Sequence, residues 1–260
     1  MKEHPILFKP QMVRAIRAGL KTQTRRVLDP QPFPDGYHQG DVTLDRVWDG
    51  TARFSATAVG GGAIAEHIIP IRYRVGDRLW VREGWWVSRR WDGTAPRDIP
   101  PKTCTVFFEG GGSIANQDHP GDWRPIDTPE YGAELPEWVG KKRPGMFLPR
   151  WAARLILTVT DVRVERLQDI SDADALAEGV YRLDPTAEDL AEGCTPDDFV
   201  YIAPGVPQGF GMTRAERQRD TWWPNAPGAF GLLWRAINGQ ASWDANPWVA
   251  AYTFEEATGT

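Results

Sequence analysis

Two hydrophobic periods run through the chain, one helical and short, the other two-residue and extended. Over Pro10 to Ala18 the apolar residues Met12, Val13 and Ile16 fall at helical spacing. Pro10 suits a first helical turn and Gly19 the left-handed residue that ends one. The chain then turns at Leu20-Lys21 and continues as a strand, because Thr22, Thr24 and Val27 are β-branched. Elsewhere the period is two. Pro5 to Phe8 reads as a short buried strand, and Val42, Leu44, Val47, Phe54 and Ala56 flank an Asp49-Gly50 turn pair that predicts a hairpin over 42–58. Leu79 and Val81 alternate with Arg78, Trp80 and Arg82 in a strand over 78–87 opened by Gly76-Asp77, and a second strand covers 103–108. The longest alternation runs from Leu155 to Leu167. After it, Ser171 caps a short helix over Asp172–Glu178, with Asp174 at the capping-box position and Gly179 as the stop. A short helix over 229–237 ends at Asn238-Gly239, and Trp248 to Phe254 forms a closing strand.

Regular patterning stops in three places, about 28–74 outside its hairpin, 93–145 outside its strand, and 183–228, all rich in Pro and Gly. Long stretches of this kind are commonly functional or mobile insertions. The triple glycine at 60–62 lacks the Gly-Lys-Ser/Thr and the strand-to-helix setting of a phosphate loop. Strands predominate and are joined by turns or irregular loops, so the fold class is mainly β with short helices (α+β), a mostly antiparallel sheet or barrel. A length of 260 residues suits a single domain over 1–260 carrying those insertions.

Composition narrows the partners. Hydrophobic residues make up 41% and charged residues 25%, an ordinary globular balance. No apolar run approaches a membrane span and Met1 to Pro5 lack an apolar signal core, so a cytoplasmic protein with no membrane partner is expected. Cys104 and Cys194 lie far apart and give no disulfide framework. The four histidines, His4, His38, His67 and His119, show no metal-ligand spacing; no metal and no cofactor are expected. A net charge of −5 argues against coating extended duplex DNA, although Arg14, Arg17, Lys21, Arg25 and Arg26 concentrate basic charge near the N-terminus. Thirteen tryptophans serve core packing first, yet base-stacking platforms use the same side chains.

Lys21 and Thr24 together suggest a hydroxyl nucleophile beside an amine base. Threonine attacks an acyl carbon only if a base takes its proton, and lysine serves as that base only when burial or nearby positive charge lowers its pKa. Arg25 and Arg26 supply such charge. A carboxylate is needed to orient the ammonium or pass the proton, and Glu178, expected exposed at its helix end beside Gly179, is the candidate. Read blandly, the same residues are a solvated strand face.

The order helix, Ala18-Gly19-Leu20-Lys21-Thr22-Gln23-Thr24-Arg25-Arg26, then Gly76-Asp77-Arg78-Leu79-Trp80-Val81, then a long strand and a short helix ending Glu178-Gly179 resembles the ASCH domains of the PUA-like superfamily. Pro5 to Arg26, Gly76 to Glu83 and Pro149-Arg150-Trp151-Ala152 are similar to the larger ASCH-type proteins of bacteriophage and prophage genomes. The resemblance covers residues 5–27, 75–87 and 146–180. It implies a small β-barrel with a cleft for a nucleobase or RNA. In the small bacterial ASCH enzymes that hydrolyse N(4)-acetylcytidine, the lysine and threonine of the motif fall on Lys21 and Thr24 and the glutamate on Glu178. Thr24 is then the nucleophile, Lys21 its base and Glu178 the group that orients lysine and passes the proton, with Arg26, Glu83, Trp85 and Arg150 lining the cleft.

Three readings stay open. The first is hydrolysis of an N-acylated or otherwise modified pyrimidine nucleoside. The second is a non-catalytic module for a modified base or short single-stranded RNA, with Trp80, Trp85 or Trp151 for stacking and Arg25, Arg26 and Arg150 for phosphate. The third is a phage host-interaction protein anchored by Trp123, Trp138, Trp222 and Trp223.

Overall fold

In a computed structural model the described residues are 1–33, 42–57, 64–101, 103–114, 135–184, 187, 200–204 and 225–257. In chain order they form β1 (Glu3–Leu7), α1 (Pro10–Arg17), β2 (Gln23–Val27), β3 (Val42–Trp48), β4 (Thr51–Thr57), β5 (Ile64–Pro70), β6 (Arg78–Arg82), β7 (Trp85–Trp86), β8 (Val106–Phe108) and β9 (Ser113–Ile114). There follow β10 (Ile156–Arg166), α2 (Asp172–Ala177), β11 (Tyr181–Leu183), β12 (Val200–Ile202), α3 (Ala226–Asn238), α4 (Gln240–Asp244) and β13 (Trp248–Glu256). The chain is mainly β with few, short helices, and among the described residues no strands close into a barrel. No helix among them is long and apolar enough to cross a membrane.

The chain divides into two compact units, one of Met1–Ala18, Gly76–Thr158 and Glu255–Thr260, the other of Gly19–Val75 and Val159–Phe254. The described residues within 93–145 belong to the first, those within 28–74 and 183–228 to the second.

In the first unit β1 runs parallel to β6, with Ile6 opposite Val81, and β6 pairs antiparallel with the start of β10, Leu79 opposite Leu157. Helix α1 buries Met12, Val13, Ala15 and Ile16, the stripe its periodicity predicts. The strand expected over 78–87 breaks at Glu83-Gly84, where the Glu109 carboxylate occupies the place that a Cβ on Gly84 would take. Beyond the break β7, β8 and β9 form a small antiparallel sheet. Trp85, Val87, Ile99, Val106, Phe108 and Leu148 make its core.

Besides the two-stranded antiparallel pair β11-β12, the second unit includes two larger groups of paired strands among its described residues. One pairs β2 with β13, setting Thr24 opposite Tyr252 and Arg25 opposite Ala251. The other is the meander β3-β4-β5. Its first turn is the predicted Asp49-Gly50 pair, both left-handed at φ 37° and 74°, as a two-residue hairpin of this hand requires. Ala52 and Phe54 of β4 are fully buried, Phe54 edge-on to Trp248 with centroids 4.9 Å apart. Strand β5 escapes the pattern reading because its inward positions include His67 while Ile68 faces solvent at 57% exposure. The cap of α2 forms as predicted, Ser171 Oγ accepting from the Asp174 N–H at 3.2 Å.

Candidate functional site

Lys21 sits just before β2, in an isolated antiparallel bridge with Glu178, and the Thr22 N–H donates to Ala177 O at 2.8 Å. These two contacts draw the C-terminal end of α2 against the start of β2. Glu178 is therefore buried, at 4% exposure, and not exposed at its helix end as the sequence suggests. Lys21 is 2% exposed. Its ammonium donates to Glu178 Oε2 at 2.6 Å, to Gln23 O at 2.7 Å and to Glu178 O at 3.0 Å. Burial lowers the Lys21 pKa, the Glu178 charge and hydrogen bond oppose the shift, and Arg26 and Arg25 add to it.

A second cation shares that carboxylate. Side chains alternate along β2, placing Gln23 and Arg25 on one face and Thr24 and Arg26 on the other. Arg25 has no exposed side-chain surface; Nη1 donates to Gln23 Oε1 at 2.5 Å and to Glu178 Oε1 at 3.2 Å. Its Nε and Nη2 donate to Glu165 Oε1 at 3.1 and 2.5 Å, Nη2 lies 3.4 Å from Asp174 Oδ2, and its guanidinium stacks 5.7 Å from the Phe230 centroid. Burial alone would raise the Asp174 carboxyl, but hydrogen bonds from Arg163, Ser171 and Gln23 outweigh it and hold the group at about 2. The cluster thus sets Lys21, Arg25 and Arg163 against Glu165, Asp174 and Glu178, the pairing that buried charges require.

The opposite face of β2 is less polar. Thr24 is buried there, at 2% exposure. Tyr252 and Tyr73 are buried and meet edge to face at 5.0 Å. Burial and the neighbouring Tyr73 push the Tyr252 phenol up to about 12, against the Tyr73 and Arg72 backbone N–H groups and the Arg26 charge. Arg26 is half-buried, within the field of Glu178 and both tyrosines, and donates to Arg25 O at 3.3 Å.

The remaining residues predicted for the cleft belong to the first unit, where they do not gather into one site. Glu83 is 1% exposed and holds Arg154 through two hydrogen bonds of 2.9 and 3.0 Å, with the Gly110 N–H on Oε2 at 3.1 Å. Trp85 is fully buried in the apolar core beneath the Arg143 guanidinium, so its ring offers no face to a base. Arg150 is exposed and chelates Glu3 at 2.9 and 3.0 Å. Of the other stacking candidates, Trp80 is buried under Arg82 at 4.3 Å and Trp151 is half-buried against the core. Trp138 is 40% exposed; Trp123, Trp222 and Trp223 lie outside the described residues, as do the triple glycine at 60–62, Cys194, His38 and His119.

The resemblance pairs Lys21 with Glu178, which touch in the structure, whereas Arg25, read from the sequence as a source of positive charge and a phosphate contact, is fully buried on protein carboxylates. The signal for its true setting is Glu165 in the polar alternation of β10, with Asp174 and Glu178 four apart around the end of α2. No cluster of three metal-ligating side chains occurs among the described residues. A groove of about 490 Å³ on the β3-β4-β5 meander is lined by Asp45, Arg46, Trp48, Arg53, Ser55 and Glu66, but its two carboxylates are both paired with Arg53 and Arg46 lies over Trp48. No family model, no curated protein and no solved structure matches the chain.

Proposed function

We propose that the Lys21–Glu178 centre hydrolyses an N-acylated or otherwise modified pyrimidine nucleoside, in the manner of the ASCH-type amidohydrolases that the motif resembles. The observation that carries this reading is the 2.6 Å contact between Lys21 Nζ and Glu178 Oε2, in a place where both residues are under 5% exposed, with the buried Thr24 three residues along. A lysine whose pKa is lowered by burial, three residues before a buried threonine, is the composition of a base and its nucleophile. In the proposed step the short contact passes a proton from Lys21 to Glu178. The free amine then accepts the Thr24 proton while Oγ1 attacks the acyl carbon. The C–N bond breaks, the leaving exocyclic amine takes that proton back from Lys21, and an acyl ester remains on Thr24. Water, deprotonated by the same route, hydrolyses the ester and regenerates the hydroxyl. No cofactor enters this chemistry.

Binding without turnover is the second reading, favoured by one observation: the three N–H groups of Lys21 all have protein acceptors, and none points to Thr24. Acid-quenching the reaction with N(4)-acetylcytidine and mapping modified peptides by mass separates the two. The hydrolase reading predicts an acetyl group on Thr24 that is absent from T24A, with nucleoside binding retained. Nucleoside binding with neither adduct nor product supports the second.

A further inference from the structure

We infer that Arg25 is a positioning residue of the Lys21–Glu178 centre: its guanidinium fixes the Glu178 carboxylate against Lys21 and divides that carboxylate's charge between two cations. The inference rests on the hydrolase reading for its consequence to the reaction, and on the geometry alone for its effect on Lys21.

The carboxylate of Glu178 has one oxygen on each cation, Oε2 on Lys21 at 2.6 Å and Oε1 on Arg25 at 3.2 Å. A carboxylate held at both oxygens has no rotational freedom left, and its hold on either cation is weaker than on one alone. Arg25 is itself fixed. Gln23 takes Nη1, Glu165 takes Nε and Nη2, Asp174 lies 3.4 Å from Nη2, and Phe230 covers the guanidinium face. Asp174 in turn is bound by Arg163, Ser171 and Gln23. Lys21 lies in the field of Glu178, Arg26 and Arg25, and Arg26 in that of Glu178, Tyr73, Tyr252 and Arg72.

The sign of the electrostatic effect follows. Arg25 repels a proton on Lys21 directly and also draws on the carboxylate that stabilises that proton. Removing Arg25 raises the Lys21 pKa, whereas neutralising Glu165 frees Arg25 to lean on Glu178 and lowers it. Opposite shifts from two variants of one cluster are not what loosened packing produces.

The experiment measures the pH profile of N(4)-acetylcytidine hydrolysis for wild type, R25M, R25K and E165Q. In parallel, Lys21 is titrated directly by NMR of lysine labelled at Cε, with the resonance assigned through K21M. R25M is expected to move the acid limb and the Lys21 titration up by about one pH unit, and E165Q to move both down. R25K keeps the charge without the fork, so its limb stays near that of wild type while kcat falls by up to about a hundredfold with KM little changed. E165Q, isosteric and at the less buried side of the cluster, carries the test of sign if R25M does not fold. An unchanged Lys21 titration in the folded variants overturns the inference, as do shifts of the same sign. If the wild type hydrolyses no N-acylcytidine, the hydrolase reading fails on its own, and the NMR titration still decides the role of Arg25.

Discussion

Neutralising Glu178 is the sharpest probe of the buried charge centre. E178Q preserves the shape of the side chain and removes the only carboxylate that touches Lys21 directly among the described residues, at 2.6 Å. At that separation the gross attraction is about 6 kcal/mol for an effective dielectric constant of about 20. Much of it offsets desolvation, and breaking one side of a buried pair costs about 3–5 kcal/mol in practice. Two features of the site trim the loss. Arg25 keeps Glu165 and Asp174, and Lys21 is able to release its proton. The second feature gives the loss a pH dependence. Without Glu178 the folded-state pKa of Lys21 drops further below the value of about 10.4 it has in the unfolded chain. Between those two values the unfolded chain binds a proton that the folded chain does not, so stability rises with pH. The deficit of E178Q relative to wild type is therefore largest at acid pH and narrows as pH rises through the further-lowered folded-state value of Lys21, by at most about 1.4 kcal/mol per unit. Urea denaturation of both proteins across that range reads it directly. A loss under about 1 kcal/mol at acid pH, or a gap that widens as pH rises, contradicts a Lys21 held charged by Glu178.

Other outcomes follow from the same cluster and from its counterpart in the first unit. K21M leaves Glu178 on Arg25 at 3.2 Å and should destabilise less than E178Q, while the double variant should recover part of the summed loss; a strictly additive pair in denaturant melts contradicts the coupling. Asp174, held at about 2 against about 3.9 unfolded, contributes stability that is present above pH 4 and lost as pH falls through its folded value; D174N should flatten that acid limb by about 1–2 kcal/mol once screening at the partly exposed Arg163 is allowed for. G110A places a Cβ 2.6 Å from Glu83 Oε2 and 3.1 Å from Val13, and should cost about 1–3 kcal/mol in chemical denaturation; a neutral result removes the close-packing argument for that glycine.

The regular elements were legible where one face is buried and the other wet. The stripe of α1, the Asp49-Gly50 turn, the long alternation of β10 and the Ser171 cap all carry their cause in local sequence. Strands β9, β11 and β12 span only two or three residues each, too few for a period to register, and β5 hides behind an outward isoleucine. At the candidate site the Lys21–Glu178 contact was anticipated through the motif, because 157 residues separate the partners and no local pattern links them. What local reading missed is burial. A lysine, an arginine and a glutamate look like a solvated face until the bridge at Lys21 and Glu178 and the ring of Phe230 close over them. Trp85 shows the reverse error: an aromatic beside polar residues reads as a stacking surface, yet its whole ring is consumed by the core.

Release of cytidine from N(4)-acetylcytidine by the purified protein, followed by chromatography beside T24A and K21M, tests the central claim most directly. The wild type is expected to release cytidine and neither variant to do so, with both variants folded. Release that persists in both folded variants, or none from the wild type with any N-acylcytidine, contradicts it.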